Sequence, residues 1–458
     1  MKIILHNIGP IRRFEFDTSK RFQVIVGRNT VGKSYALTFV YILIKELARL
    51  RDWKTLTPIL EEGAGQPDLA PSFAALIRGN EYDRHDVSRA VTRILKHLFD
   101  HLLASRLHEP VFSSFGAAQG IRNQFATGLP KVEIVAESGR VDLRIADDGI
   151  GVEQVDFGKY HARRMRRQQD TVSFPGGRMI HVTSKPESAR RAVVQECAFR
   201  LGQIAQEIAV DVAEVHYLPA IRAGLYQALS GLGPIVAQLA KSRSLLSREI
   251  SLPILSAPEN DYFLTVSGID PVALTHPRPA IAGIADTIEQ AVLGGAIEID
   301  PDSNRILFRP TGTGLRLDLG YASSMVSQIA PLVAYCRYVL ASTGDAKAPV
   351  MVMIEEPEAH LHPEVQVKLI EQLAELTQHG VKIVLTSHSD FIFNKVSNLV
   401  IAGALKPESV VATLMTMTEQ GSEAKALGID SLGIDDENFI DTAEALYLEK
   451  AGLLADDA

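Results

Sequence analysis

The segment Gly27–Ser34 constrains the fold of this 458-residue chain more than any other stretch. It reads Gly-Arg-Asn-Thr-Val-Gly-Lys-Ser and fits the pattern G-x-x-x-x-G-K-[ST], which is typical of a phosphate-binding loop. The apolar run 22–26 before it predicts a buried strand, and the apolar run 35–44 after it predicts a helix. A glycine-rich turn between a strand and a helix N-terminus points free backbone N–H groups at an anion. The sequence therefore predicts an α/β fold built around a nucleotide phosphate site.

We call the segment Gly27–Ser34 the phosphate loop, and its motif predicts a role for two of its side chains. Lys33 is expected to reach the β- and γ-phosphates of ATP, and the Ser34 hydroxyl is expected to hold Mg²⁺. We expect the nucleotide to be bound by nine consecutive residues: Gly27, Arg28, Asn29, Thr30, Val31, Gly32, Lys33, Ser34 and Tyr35.

Two carboxylates follow a second apolar run, 350–354, which predicts another buried strand. Ligands of open parallel sheets bind outside the carboxyl ends of the strands, where Glu355 and Glu356 are expected to lie. We interpret Glu355 as a residue of the second coordination shell of Mg²⁺. We interpret Glu356 as the general base that orients and deprotonates the attacking water.

A histidine follows the next apolar strand, 382–386, in the segment Thr386–Ser389. His388 is the second predicted catalytic residue, because a side chain at this strand end can contact the γ-phosphate or the water. Ser389 is also a suitable N-cap for a helix beginning at Asp390. Both interpretations can hold together.

The pattern along the chain predicts a largely parallel sheet with flanking helices, interrupted by a long, mostly helical insertion with a β-hairpin. We predict three parts: residues 1–52, the N-terminal part of an ATPase head; 53–213, the insertion; and 214–458, the rest of the head. Within the insertion, residues 131–136 and 141–146 predict the hairpin. The run Arg163–Arg167 is basic, which fits a solvated face or a contact to nucleic acid or an acidic partner.

Composition narrows the class of protein. The net charge is −8 and only two cysteines are present, so neither a general affinity for nucleic acid nor a disulfide framework is indicated. The first residues are too short and polar for a signal peptide, and no run is long enough to span a membrane. We therefore expect a cytoplasmic protein without a membrane partner.

These motifs together resemble the head of an ABC-type ATPase, of the variety found in SMC, RecF and OLD-family proteins. The resemblance depends on the phosphate loop, the run 354–363 and the segment 386–389, and it hardly covers residues 52–210. The run 218–224 and the predicted closing helix 439–448 are also similar to OLD-like ATPases of prokaryotic defence systems. The resemblance implies a signature serine that reaches ATP held by a second head, and Ser323 matches its position. Ser324 and Met325 stand where such heads carry glycine, and Glu355 where most carry aspartate.

The resemblance implies ATP hydrolysis with Mg²⁺ by a head-to-head homodimer, or a higher oligomer. The leading hypothesis is a sensor or switch in an anti-phage defence system that acts through a separately encoded effector protein. One alternative is a RecF-like DNA-repair ATPase that binds nucleic acid. Another is a scaffold that binds ATP to assemble and turns over negligibly. We also expect no nuclease activity in the chain itself, because the acidic residues near its end are predicted in loops.

Overall fold

The computed structural model describes residues 1–50, 84–116, 118–164, 179–182, 186–227, 255–269, 278–300, 305–342, 348–435 and 448. In chain order the strands are β1 (Lys2–Ile8), β2 (Ile11–Asp17), β3 (Phe22–Gly27), β4 (His85–Asp86), β5 (Lys131–Val135), β6 (Arg140–Ala146), β7 (Gly149–Asp156), β8 (His161–Arg164), β9 (Met179–Val182), β10 (Glu214–Leu218), β11 (Gly295–Ile299), β12 (Ile306–Pro310), β13 (Leu317–Asp318), β14 (Val350–Glu355), β15 (Val381–Ser387), β16 (Val410–Thr418), β17 (Gly421–Ala426), β18 (Ile429–Asp430) and β19 (Gly433–Ile434).

The α-helices surround this sheet structure. They are α1 (Lys33–Arg49), α2 (Ser88–Phe99), α3 (Ser105–Phe115), α4 (Ala118–Ile121), α5 (Pro186–Asp211), α6 (Ala257–Ser267), α7 (Pro279–Ile288), α8 (Ser324–Ala334), α9 (Pro363–Leu376) and α10 (Asp390–Ile401). Wider π-helical turns continue α2, α7 and α8 at Asp100–Ala104, Glu289–Leu293 and Tyr335–Val339. Among the described residues, no helix combines the length and the apolar character that crossing a membrane requires.

An eleven-stranded sheet organises the described part of the chain, with the order β10-β14-β15-β3-β16-β17-β2-β1-β5-β6-β7. The five strands from β10 to β16 are parallel, and every residue of β3, β14 and β15 is buried. Both faces of these strands are covered, which explains their continuous apolar sequences. The predicted α/β fold is confirmed, and the chain ends meet in one sheet because β3 pairs with both β15 and β16.

The other half of the sheet is mostly antiparallel and includes the predicted hairpin. Strands β5 and β6 pair around Glu137–Gly139, as the sequence predicts, and β7 pairs with β6. Strand β5 also pairs with β1, in a register that joins Lys2 to Val135 and His6 to Lys131. Residues 131–156 thus continue the sheet that carries the phosphate loop, although they lie inside the predicted insertion. The division into three parts remains a prediction.

The two faces of the sheet have separate hydrophobic cores. Helices α1, α2 and α5 lie in the core that includes Ile25, whereas α8, α9 and α10 lie in the core that includes Val24 and Val26. Successive side chains of β3 point alternately into the two cores, so the strand lies between two layers of helices. Consequently the carboxyl ends of β3, β14 and β15 open at one edge, where the predicted site residues follow.

Some sequence predictions lie outside the described residues. The closing helix predicted at 439–448 is one, except for Leu448, and the basic run is described only at Arg163 and Arg164 in β8. Strands β11 and β12 pair antiparallel, with Ile297 opposite Phe308.

Candidate functional site

The phosphate loop connects β3 to α1, and its glycines have conformations and contacts that a side chain would not allow. Gly27 has φ +150°, and a Cβ there would lie 2.4 Å from the carbonyl oxygen of Met415. Gly32 has φ +92°, and a Cβ there would lie 2.6 Å from Pro10 Cγ. The backbone can therefore turn closely only because both positions lack a side chain. This allows α1 to begin at Lys33, within the last two residues of the loop.

Lys33 lies inside the loop rather than in solvent. It is 6% exposed, and its Nζ donates to the carbonyl oxygens of Gly27 at 2.8 Å and Arg28 at 2.9 Å. Burial lowers the pKa of this ammonium, and the carboxylates of Glu356 and Glu358 oppose that shift. A buried cation held by weak carbonyl acceptors is well placed to bind anionic phosphate oxygens.

Four of the other predicted contact residues of the loop have exposed side chains. The side chains of Arg28, Asn29, Thr30 and Ser34 are exposed, Val31 is buried, and Tyr35 is partly buried against the ring of Phe115 at 4.9 Å between centroids. The exposed hydroxyl of Ser34 is free to contribute a metal ligand, as predicted from the motif.

Glu355 ends β14 and faces a cavity of about 310 Å³ beside Ser34. Its Oε2 accepts a hydrogen bond from Ala220 N at 3.1 Å, whereas its buried Oε1 has no hydrogen-bond partner within the described chain. Burial and the Glu355 charge raise the pKa of the Tyr217 hydroxyl, which also lines the cavity, well above its ordinary value. A carboxylate with a free oxygen beside a serine hydroxyl fits a hydrated Mg²⁺, to which Ser34 would bind directly and Glu355 through water.

Glu356 adopts an unusual backbone conformation. Its φ is +40°, and its N–H donates to the Thr386 carbonyl oxygen at 3.0 Å. A non-glycine residue with positive φ is strained, and such strain persists where surrounding contacts enforce it. The side chain is 32% exposed, so its carboxylate can reach a water molecule. This geometry is compatible with the role of general base.

His388 lies beside two carboxylates. Its Nδ1 is 3.9 Å from Glu356 Oε1 and 3.3 Å from Glu358 Oε1. The predicted base and the predicted histidine therefore lie close together in the structure. The N-cap interpretation of the same segment is also confirmed, because the Ser389 hydroxyl accepts from Ile392 N at the start of α10.

The contacts of Glu358, which follows the two predicted carboxylates, indicate a structural role. It is 5% exposed, and its Oε1 accepts from the Ser387 hydroxyl at 2.7 Å and from His388 N at 2.8 Å. A buried carboxylate that accepts two hydrogen bonds fixes its donors in place. Glu358 thus anchors the segment Thr386–Ser389, which we call the histidine loop.

Ser323 is the N-cap of α8 and is exposed. Its hydroxyl accepts from Val326 N at 3.4 Å, which is the geometry of an ordinary helix cap. The first turn of α8 carries no acidic residue that would repel a phosphate. The contact of Ser323 with ATP on a second head remains a prediction.

The sequence did not reveal the other wall of the cavity. Ser113 and Ser114 at the end of α3, together with Ser256 and Glu259 at the start of α6, line it opposite Ser34. These segments meet because Ala257 N donates to Ser114 Oγ at 2.9 Å. A contact across 143 positions leaves no local signal in a single sequence.

Arg222 was also missed as a site residue. Its side chain is fully buried, and its guanidinium donates to backbone carbonyls of both catalytic-strand glutamates, Glu355 and Glu356. Burial lowers the pKa of this guanidinium. Only its position after the proline of the run 218–224 could have drawn attention to it.

Comparison with known proteins agrees with this geometry. Residues 274–393 match the model of a family described as an AAA ATPase domain. The match includes Ser323, the carboxylates of β14 and the histidine loop, and it does not include the phosphate loop. No curated protein matches the chain.

Several solved SMC head domains are similar over most of their length. One, bound to the C-winged helix domain of ScpA, has 11% identity and a TM-score of 0.42, covering 94% of this chain and 97% of that chain. The SMC head domain from Thermotoga maritima has 10% identity and a TM-score of 0.36, covering 93% and 98%. A third, with an extended coiled coil and bound to the C-terminal domain of ScpA, from Pyrococcus furiosus, has 12% identity and a TM-score of 0.39, covering 98% of each.

With scores this low, the assignment depends on strand order and site residues rather than on these likenesses. The chain has an α/β P-loop fold. It contains an intact phosphate loop after β3 and two consecutive carboxylates at the end of β14, which is separated from β3 by β15 in the same sheet. Together with the family match, these features define an ATPase that binds nucleotide and hydrolyses ATP.

Proposed function

We propose that this ATPase works as a pair of heads that close around two ATP molecules and reopen after hydrolysis. Closure would act as a switch in a prokaryotic anti-phage defence system and would control a separately encoded effector protein. The single observation that carries the paired site is the exposed Ser323 at the N-terminus of α8. Its hydroxyl and the following backbone N–H groups form a phosphate-binding end that a second copy can use.

The chemistry within one head follows from the described contacts. Lys33 and the loop N–H groups would bind the phosphates, while Ser34 and Glu355 would hold Mg²⁺, which neutralises charge on the β- and γ-phosphates when bound. Glu356 would accept the proton of the attacking water, and His388, held by Glu358, would contact the γ-phosphate or that water. The signature serine of the other head would complete this set of contacts.

The defence role is supported by the resemblance of the run 218–224 to OLD-like ATPases. That run supplies Ala220, which binds Glu355, and Arg222, which binds the backbone of Glu356, so it belongs to the site rather than to a distant surface. The residues around 52–210 are the proposed dock for the effector, because the sequence motifs of the phosphate site lie outside this range, although Ser113 and Ser114 line its cavity.

The test compares the purified wild-type chain with Glu356→Gln. With Mg²⁺ and ATP, we expect Glu356→Gln to accumulate as a dimer by light scattering and the wild type to form it transiently. Co-expression with neighbouring gene products should yield a complex that does not require nucleic acid. A variant that stays monomeric with saturating ATP would contradict the paired-head proposal. Salt-dependent binding to DNA without a protein partner would instead favour the RecF-like alternative.

A further inference from the structure

We propose that Arg222 is a positioning residue that couples the signature helix α8 to the general base Glu356. This inference rests on the proposed function, because it assumes that Glu356 is the base and that Ser323 acts from α8. It adds a residue that links these two parts of the site within one head.

The guanidinium of Arg222 joins three separate segments through backbone carbonyls. Its Nη1 donates to Glu355 O at 2.9 Å and its Nη2 to Glu356 O at 3.4 Å, at the end of β14. Its Nε donates to Gln328 O at 3.1 Å, in the second turn of α8. A further bond from Nη1 to Pro219 O at 3.3 Å fixes the loop that carries Arg222 itself.

Fold stability alone does not explain this arrangement. Arg222 is fully buried, and all four of these acceptors are neutral carbonyls rather than a paired carboxylate. Burying an arginine is costly, and an apolar side chain of similar volume often serves a core as well. What a guanidinium offers instead is a rigid planar fork whose N–H groups hold several acceptors at fixed angles.

The acceptor at Glu356 connects this fork to the strained residue. The peptide groups on both sides of Glu356 are held, since its N–H binds Thr386 O and its carbonyl oxygen binds Arg222. These two contacts fix the positive φ of Glu356 and hence the direction of its carboxylate. A movement of α8 would displace the Gln328 carbonyl and with it the Arg222 Nε. Because the guanidinium is one rigid planar group, the displacement would be transmitted to the Glu356 carbonyl. Engagement of Ser323 with nucleotide would thereby align the base.

The experiment measures ATP affinity and turnover of Arg222→Lys and Arg222→Gln beside the wild type. Both variants lose the fork, so we expect kcat to fall by about 10- to 100-fold while the Kd for ATP stays within about threefold. Arg222→Lys keeps the charge but can reach fewer carbonyls. A low kcat in this variant would show that the geometry of the guanidinium is required, and not its charge alone. In Arg222→Ala, added guanidinium should partly restore kcat, whereas the same concentration of NaCl should not.

A matched control is Lys382→Met. Lys382 is also a buried cation that donates to two carbonyls, those of Thr18 and Ser19. It forms a further ion pair with Asp211 at 3.8 Å and lies at the start of β15, away from the site. The kcat of Lys382→Met should equal that of the wild type. A wild-type kcat in both Arg222→Lys and Arg222→Gln, a proportional loss of ATP binding, or failure of both variants to fold would overturn the coupling role. Glu356→Gln separates the possible failures. If it hydrolyses ATP at the wild-type rate, the assignment of Glu356 as the base fails, and if it stays monomeric with saturating ATP, the paired-head proposal fails. If it is inactive and dimeric while the Arg222 variants keep the wild-type kcat, only this inference fails.

Discussion

Replacing Lys33 by methionine should separate nucleotide binding from fold stability. Methionine keeps an unbranched apolar stem of similar length and removes only the ammonium. In this structure the ammonium is buried and donates to Gly27 O and Arg28 O. The variant therefore changes the phosphate contact with little change in shape.

Two opposing terms set the expected stability of Lys33→Met without nucleotide. Two hydrogen bonds from a charged donor contribute about 1.5–3 kcal/mol each, so their loss costs roughly 3–6 kcal/mol. Burial of the Lys33 ammonium costs the wild type several kcal/mol. The variant does not have this cost, because methionine is uncharged. We therefore expect the free energy of unfolding to change by no more than about 2 kcal/mol, less than either term alone.

The assay is thermal unfolding with and without Mg²⁺ and a non-hydrolysable ATP analogue. At 100 times Kd the analogue should stabilise the wild type by about 2.7 kcal/mol. For a chain of 458 residues that corresponds to a rise in Tm of about 3 °C. Lys33→Met should show no rise, while Lys382→Met, the same change at another buried lysine, should show the full rise. A preserved rise in Lys33→Met, or a loss of more than about 4 kcal/mol without nucleotide, would refute the reasoning.

Three further outcomes follow from the site. Glu356→Gln should bind ATP normally and hydrolyse it at least about 100-fold more slowly, measured by phosphate release, because the amide cannot accept a proton; wild-type turnover would move the base elsewhere. Glu358→Ala should lower the free energy of unfolding by roughly 2–6 kcal/mol, because two buried donors lose their acceptor; the exposed Glu371→Ala, which breaks only a surface pair with Lys395, should change it by less than about 1 kcal/mol. Plasmid, single-stranded DNA and RNA should remain intact with the purified chain, Mg²⁺ or Mn²⁺ and ATP; cleavage that co-purifies and disappears in an Asp435/Asp436 double alanine variant would show a nuclease within the chain.

The predictions that proved correct depended on local patterns. The phosphate loop is a continuous segment whose two glycines the backbone geometry requires, so the strand before it and the helix after it could be predicted. The helix extends beyond the predicted run 35–44, to Lys33–Arg49. The same holds for β14 and β15, whose continuous apolar runs mark strands buried on both faces.

The features that the sequence could not predict depend on contacts between segments that lie far apart in the chain. Strand β5 joins β1 by backbone hydrogen bonds, which any alternating strand can make, so no residue type identified the extended sheet. The side chain of Arg222 binds only backbone carbonyls, which leave no complementary residue to find. The role of Glu358 was hidden because its partners lie 29 and 30 positions away.

The most direct test of the paired-head account mixes two inactive variants. Ser323→Arg should bind ATP in its own loop but fail to complete the site of its partner, and Lys33→Ala should fail to bind ATP while its Ser323 remains intact. Neither variant alone should hydrolyse ATP. In a mixed dimer, one site combines the intact loop of one subunit with the intact serine of the other, so turnover should return, measured as phosphate release per verified mixed dimer. No turnover in such dimers, or full activity of Ser323→Arg alone, would contradict hydrolysis at a site shared between two heads.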